Sequence, residues 1–136
     1  MADMAIETVE DGGVVLAVIV RKNSVHDQLQ FVTPPDFPIQ VGIQNRQRGV
    51  IAKAHEHPPF KKLENVPAQE MFYLEHGKVK VSIYKSARKV KEVILEAGDI
   101  IVLNCGHKVE FVEDTRLIEV KQGPYRGKEY EKVFLE

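Results

Sequence analysis

The residues best suited to metal binding or proton transfer are His55-Glu56-His57, Glu70 and His107. In an extended chain, residues two apart share a face, so His55 and His57 converge on one point while Glu56 points away. Joined by Glu70 and His107 they make three imidazoles and one carboxylate. That mixed set suits one divalent metal ion: zinc, iron, manganese, nickel or copper. Without His107, two histidines and a carboxylate still form a ligand set with open positions. An H-x-H pair alone is more often solvated than ligating, so its surroundings decide.

Such a set needs a rigid frame, and the chain reads as strands almost throughout. Val14 to Val20 is mostly β-branched and follows the turn residues Asp11-Gly12-Gly13. Gln28 to Val32 is a second, shorter strand, ended by Thr33-Pro34-Pro35-Asp36. Ile39, Val41 and Ile43 alternate with polar or small residues, the period of a half-buried strand. Gly49 to His57 is expected as a further strand carrying the histidine pair. Pro58 to Pro67 is too rich in proline for a central strand and is expected to border the site. Beyond it, Glu70 to Leu74, Val79 to Ile83, Val90 to Leu95, Ile100 to Leu103, His107 to Val112 and Arg116 to Lys121 follow one another. Turns recur about every ten residues, as in an all-β sandwich or barrel. The stretch before Val14 is open, and the tail Pro124 to Glu136 fits either an edge strand or a short helix.

The 136 residues are 43% hydrophobic and 29% charged, enough for one domain with one core. Lys and Arg number 19 against 20 Asp and Glu, so the chain lacks the basic excess of a nucleic-acid binder. The single cysteine, Cys105, excludes an intrachain disulfide and any zinc site built on two thiolates. The longest apolar run, Val14 to Val20, is far shorter than the ~20 residues of a membrane-spanning helix. With no basic leader at Met1 to Met4, a soluble cytoplasmic protein is expected.

Gly49-x5-His55-x-His57, followed by Glu70-x6-Gly77, resembles the first motif of the cupin superfamily, G-x5-H-x-H-x3,4-E-x6-G. Gly98-x5-Asn104-Cys105-Gly106-His107 resembles the second, G-x5-P-x-G-x2-H-x3-N. Pro58 to Gln69 lengthens the first motif. In the second, Asn104 replaces proline, His107 directly follows Gly106, and Phe111 stands where the last Asn would fall. The resemblance covers residues 49–111, about half the chain. It implies a single-domain cupin β-barrel of jelly-roll type over 1–136, with strands from 14–45 in front and the tail 124–136 behind. It also implies that His55, His57, Glu70 and His107 are metal ligands. The stretch from Cys105-Gly106-His107-Lys108-Val109-Glu110 to Glu119-Val120-Lys121-Gln122-Gly123-Pro124-Tyr125 is similar to a signature of small cupins found with sugar-nucleotide and polysaccharide biosynthesis.

A metal held by three or four protein groups keeps positions open for a ligand oxygen. An isomerase, epimerase or lyase acting on a carbohydrate-like small molecule is the leading expectation. A non-enzymatic, metal-dependent sugar- or small-ligand-binding module and an iron-dependent dioxygenase are the alternatives. Tyr73 and Glu119 are the candidates for acid/base work, with Lys121 and Gln122 as orienting groups, although solvent-facing strand positions commonly carry such residues. Cys105 is read as packed in the core rather than reactive. Lys85, Arg88, Lys89 and Lys91 form a basic hairpin tip, while His26 and His76 fit no motif. Sheet edges need cover, and a homodimer exchanging a terminal segment would supply it.

Overall fold

A computed structural model describes residues 5–24, 29–61 and 64–136. Among the described residues ten strands carry the fold: β1 (Ile6–Asp11), β2 (Val14–Val20), β3 (Leu29–Phe31), β4 (Gly42–Gln44), β5 (Glu70–His76), β6 (Lys78–Lys85), β7 (Arg88–Glu96), β8 (Ile100–Leu103), β9 (Gly106–Phe111) and β10 (Arg116–Lys121). One short helix, α1 (Lys128–Glu131), stands in the tail. All pairings are antiparallel. A five-stranded sheet runs β1-β2-β8-β5-β10, a three-stranded sheet runs β7-β6-β9, and β3 pairs with β4. The chain is therefore all-β, but among the described residues none of the sheets closes into the expected barrel, and β1 and β10 stand at the edges of the larger sheet.

Alternation builds two cores. Ala17, Ile19, Phe72, Leu74, Ile101 and Leu103 face Val79, Val81, Ile83, Val93 and Leu95 across the gap between the two larger sheets. The opposite face of the five-stranded sheet offers Val18, Val20 and Val102, and Phe37 closes over them. The turn at Gly77 shows why the β5–β6 hairpin is tight. Its φ is 101°, and a Cβ there would collide with Asp114 and Thr115.

Two polar clamps tie the layers. Gln69 is fully buried; its Oε1 accepts from the Ile39 amide at 3.1 Å, and its Nε2 donates to Asn104 Oδ1 at 3.0 Å. Asn104 Nδ2 in turn donates to the Val15 carbonyl at 3.0 Å. Asp99, also buried, accepts from the amides of Lys22 and Glu96 and from Arg21 Nη1. The basic tip is tied down as well, because Lys85 donates to the Asp11 carbonyl, Arg88 pairs with the Asp11 carboxylate and Lys89 with Glu92.

Three strand assignments from the sequence need correction. Gly49 to His57 forms no strand, and residues 49–60 are all exposed. An extended segment gains its ladder only from a neighbour, and the Pro58-Pro59 pair beside it lacks two amide donors. Only Gly42–Gln44 of the Ile39 to Ile43 pattern is strand. There the Ile39 amide goes to Gln69, the Val41 amide to Thr33 Oγ1, and Gln40 Nε2 to the Pro34 and Phe37 carbonyls, so side chains outcompete the ladder. The second expected strand is shorter than read, and Val25 to Gln28, with His26, lies outside the described residues. The open ends resolve as β1 in front and as α1 with extended chain behind.

Replacing Asp99 with alanine strands the Lys22 and Glu96 amides and removes one partner of the Arg21 guanidinium. Urea unfolding of Asp99→Ala is expected to show a loss of about 2–4 kcal/mol at unchanged slope. A loss within about 0.5 kcal/mol, the range of ordinary surface changes, would contradict the clamp.

Candidate functional site

β5 and β10 place the functional groups by strand parity. Glu70 lies opposite Lys121, Phe72 opposite Glu119, and Leu74 opposite Leu117, so these six share one face. The Leu74–Leu117 end of that face merges with the core, and the Glu70–Lys121 end opens into a cavity of 660 Å³. That volume suits a small molecule. The facing wall comes from β9, where His107 pairs with Ile83 of β6. The remaining wall is the C-terminal segment from Glu131 to Glu136.

Glu70 and His107 face one another in this cavity. Their nearest atoms, Glu70 Oε1 and His107 Nε2, lie 3.6 Å apart, and both side chains are about four-fifths buried. That separation is too long for a hydrogen bond. It leaves both groups available to a ligand atom. His107 Nδ1 is 3.1 Å from the Cys105 carbonyl, which can only accept, so Nδ1 carries the hydrogen in this contact. Nε2 is the ring nitrogen turned toward Glu70. Phe72 packs edge-to-face on the imidazole, with ring centroids 5.8 Å apart.

Burial, and then the hydrogen bond and negative charge of Glu119, push the Glu70 carboxyl up from 4.5 to about 7; Lys121 and Lys132 oppose the shift without cancelling it. The pair thus titrates near neutrality, and while it holds the proton Glu70 and Glu119 share a hydrogen bond. The Glu70 carboxyl and the His107 imidazole open on one space.

Of the four expected metal ligands, the structure brings together only Glu70 and His107. His55 and His57 sit on the exposed 49–60 segment, their rings 5.3 Å apart, with His55 Nδ1 against the Lys53 carbonyl at 2.7 Å. Neither lines the cavity. Among the described residues, no group of three or more His, Cys, Asp or Glu side chains is placed to hold a metal ion. The donor set in this arrangement does not fit a four-ligand centre.

The other candidates separate clearly. Glu119 and Lys121 line the cavity, whereas Tyr73 pairs with Ile118 and takes the opposite face of the sheet. The described residues of the Pro58 to Pro67 loop do not border the cavity; the tail does. Burial pushes the Cys105 thiol up to about 11, so it stays protonated and packs against the core. His76 is exposed at the end of β5. Sequence reasoning missed Phe72 and the tail: Phe72 shares the parity of Glu70, but nothing in the Lys128 to Glu136 pattern points inward.

A second cleft, of 710 Å³, is slightly larger and borders Arg21, Lys22, Lys91 and Asp99. There Arg21 is bound to Asp99, Glu7 and the Ile94 carbonyl. The smaller cavity, where a raised carboxyl and an imidazole face one another, is the candidate site. Among the described residues, no helix is long and apolar enough to cross a membrane. No protein-family model, curated protein or solved structure matches the chain.

For an acid whose pKa rises on folding, the unfolded chain releases its proton first. The contribution of Glu70 is therefore complete below 4.5 and lost as pH rises to about 7. Glu70→Gln removes that loss. The variant is expected to gain on the wild type between about pH 4 and pH 8, by on the order of 1–2 kcal/mol after allowance for partial exposure. Denaturant titrations across that range check it, and a pH-independent difference would contradict the raised pKa.

Proposed function

We propose that the cavity binds a small carbohydrate-like molecule and transfers protons on it, as an isomerase or epimerase does. One observation carries the reading: Glu70, whose carboxyl is raised to about 7, faces His107 Nε2 across 3.6 Å in the cavity. His107 would take a proton from a carbon next to a carbonyl while Glu70 gives one to the carbonyl oxygen, forming an enol. His107 then gives its proton to the neighbouring carbon while the Glu70 carboxylate takes the proton of the other enediol hydroxyl, which becomes the new carbonyl. Phe72 supplies an apolar surface, and Lys121 and Glu119 supply polar partners for hydroxyl groups. The similarity of the 105–125 stretch to small sugar-related cupins supports the same ligand class. The open β10 edge, with Ile118 and Val120 exposed, supports the homodimer reading. Sedimentation at micromolar concentration would show a species of twice 15.4 kDa.

The test is deuterium uptake from D2O into carbon positions of a panel of aldoses, ketoses and their phosphates, read by mass spectrometry. Wild type is expected to exchange one substrate, and Glu70→Gln to lose roughly 10²–10⁴-fold in rate while still binding it. The rate should fall as pH rises through about 7, where Glu70 loses its proton. Glu119→Gln should move that fall to lower pH, since it removes one of the two causes that raise Glu70. Binding without exchange would overturn proton transfer and leave a sugar-binding module.

A further inference from the structure

The C-terminal segment is held over the cavity by a few ion pairs and one leucine contact. α1 is a single turn with no buried residue and no side-chain cap, so it does not hold its place by helical stability. Glu131 pairs with Arg126 at 3.0 Å and with Lys121 at 3.6 Å. Glu136 pairs with Lys108 at 3.0 Å, next to His107 on β9. Between them Val133 and Phe134 are more than four-fifths exposed, and Leu135 is 41% exposed. Leu135 lies directly on Gly106: a Cβ at that glycine would be 2.5 Å from Leu135 Cδ1.

We propose that residues 128–136 form a strap across the mouth of the Glu70–His107 cavity, latched by Glu136 on Lys108 and by Leu135 on Gly106, and that ligand enters when the latch opens. The Lys108–Glu136 pair is more than half exposed on both sides, a setting in which ion pairs stabilise little and salt screens them. The glycine at position 106 lets Leu135 approach the backbone beside the imidazole. The inference rests on the reading of this cavity as the ligand site and adds its control.

The experiment measures access to His107 rather than turnover, so it separates failure of the strap from failure of proton transfer. Carbethoxylation by diethyl pyrocarbonate is followed by peptide mapping, with exposed His55 and His57 as references in the same molecule. In low salt His107 is expected to react several-fold more slowly than the references. Its rate should rise in about 1 M NaCl, where the screening length is only ~3 Å. Glu136→Lys, which sets like charges together, should raise it in low salt. The swapped pair Lys108→Glu with Glu136→Lys should restore protection, which a merely destabilised tail would not do. A chain ending at Gly127 sets the unlatched rate. Equal His107 rates in wild type, Glu136→Lys and the shortened chain would overturn the strap, as would failure of the swapped pair to restore protection.

Discussion

The buried amide of Gln69 is the constraint on which the site depends. It leaves no water to satisfy its side chain, so all its partners must be protein. It finds them in the 29–44 segment through the Ile39 amide and at the end of β8 through Asn104, which reaches on to Val15 of β2. The backbone carbonyl of Gln69 also accepts from the Gln122 amide, just beyond β10. Four parts of the chain are thereby fixed around the residue before Glu70. The phase of β5 follows: Glu70 and Phe72 face the cavity, and Met71 and Tyr73 face away.

From that phase the electrostatics follow. A carboxyl at the mouth of a core is partly dry, which favours its neutral form. The second carboxyl, Glu119, comes from the neighbouring strand one diagonal step away. Burial is the larger cause and the carboxyl pair the second. The lysines at the rim limit the effect, so the proton is held near neutrality and remains exchangeable. A stronger hold would make Glu70 a permanent donor, and a weaker one an ordinary carboxylate.

Much of this frame is legible in the sequence. From Glu70 to Lys121 the alternation of apolar residues and the turns at Gly77, Ser86 and Gly98 match the observed strands within a residue or two. Glu70 and His107 are legible only as metal ligands, through their residue types and the motif resemblance, and Glu119 as an acid/base candidate beside Tyr73. Tyr73 lies on the face away from this cavity, because parity within β5 is readable but the identity of the inner face is set by β8 and β10, which come later in the chain. The 49–57 segment misled for a different reason: alternation records a capacity for pairing, and a strand exists only where a partner's amides and carbonyls are presented. The tail was illegible because its placement rests on single ion pairs and one leucine, which leave no period.

Carboxyl carbon NMR, with glutamate labelled at Cδ and Glu70 assigned through Glu70→Gln, tests the central claim most directly. The account predicts a Glu70 midpoint near 7 in the wild type. In Glu119→Gln the midpoint should be lower yet still above 4.5, because burial outlasts the loss of the carboxyl partner. A Glu70 midpoint at 4.5 in both proteins would show that the carboxyl is neither dry nor paired, and the acid in the proposed site would be gone.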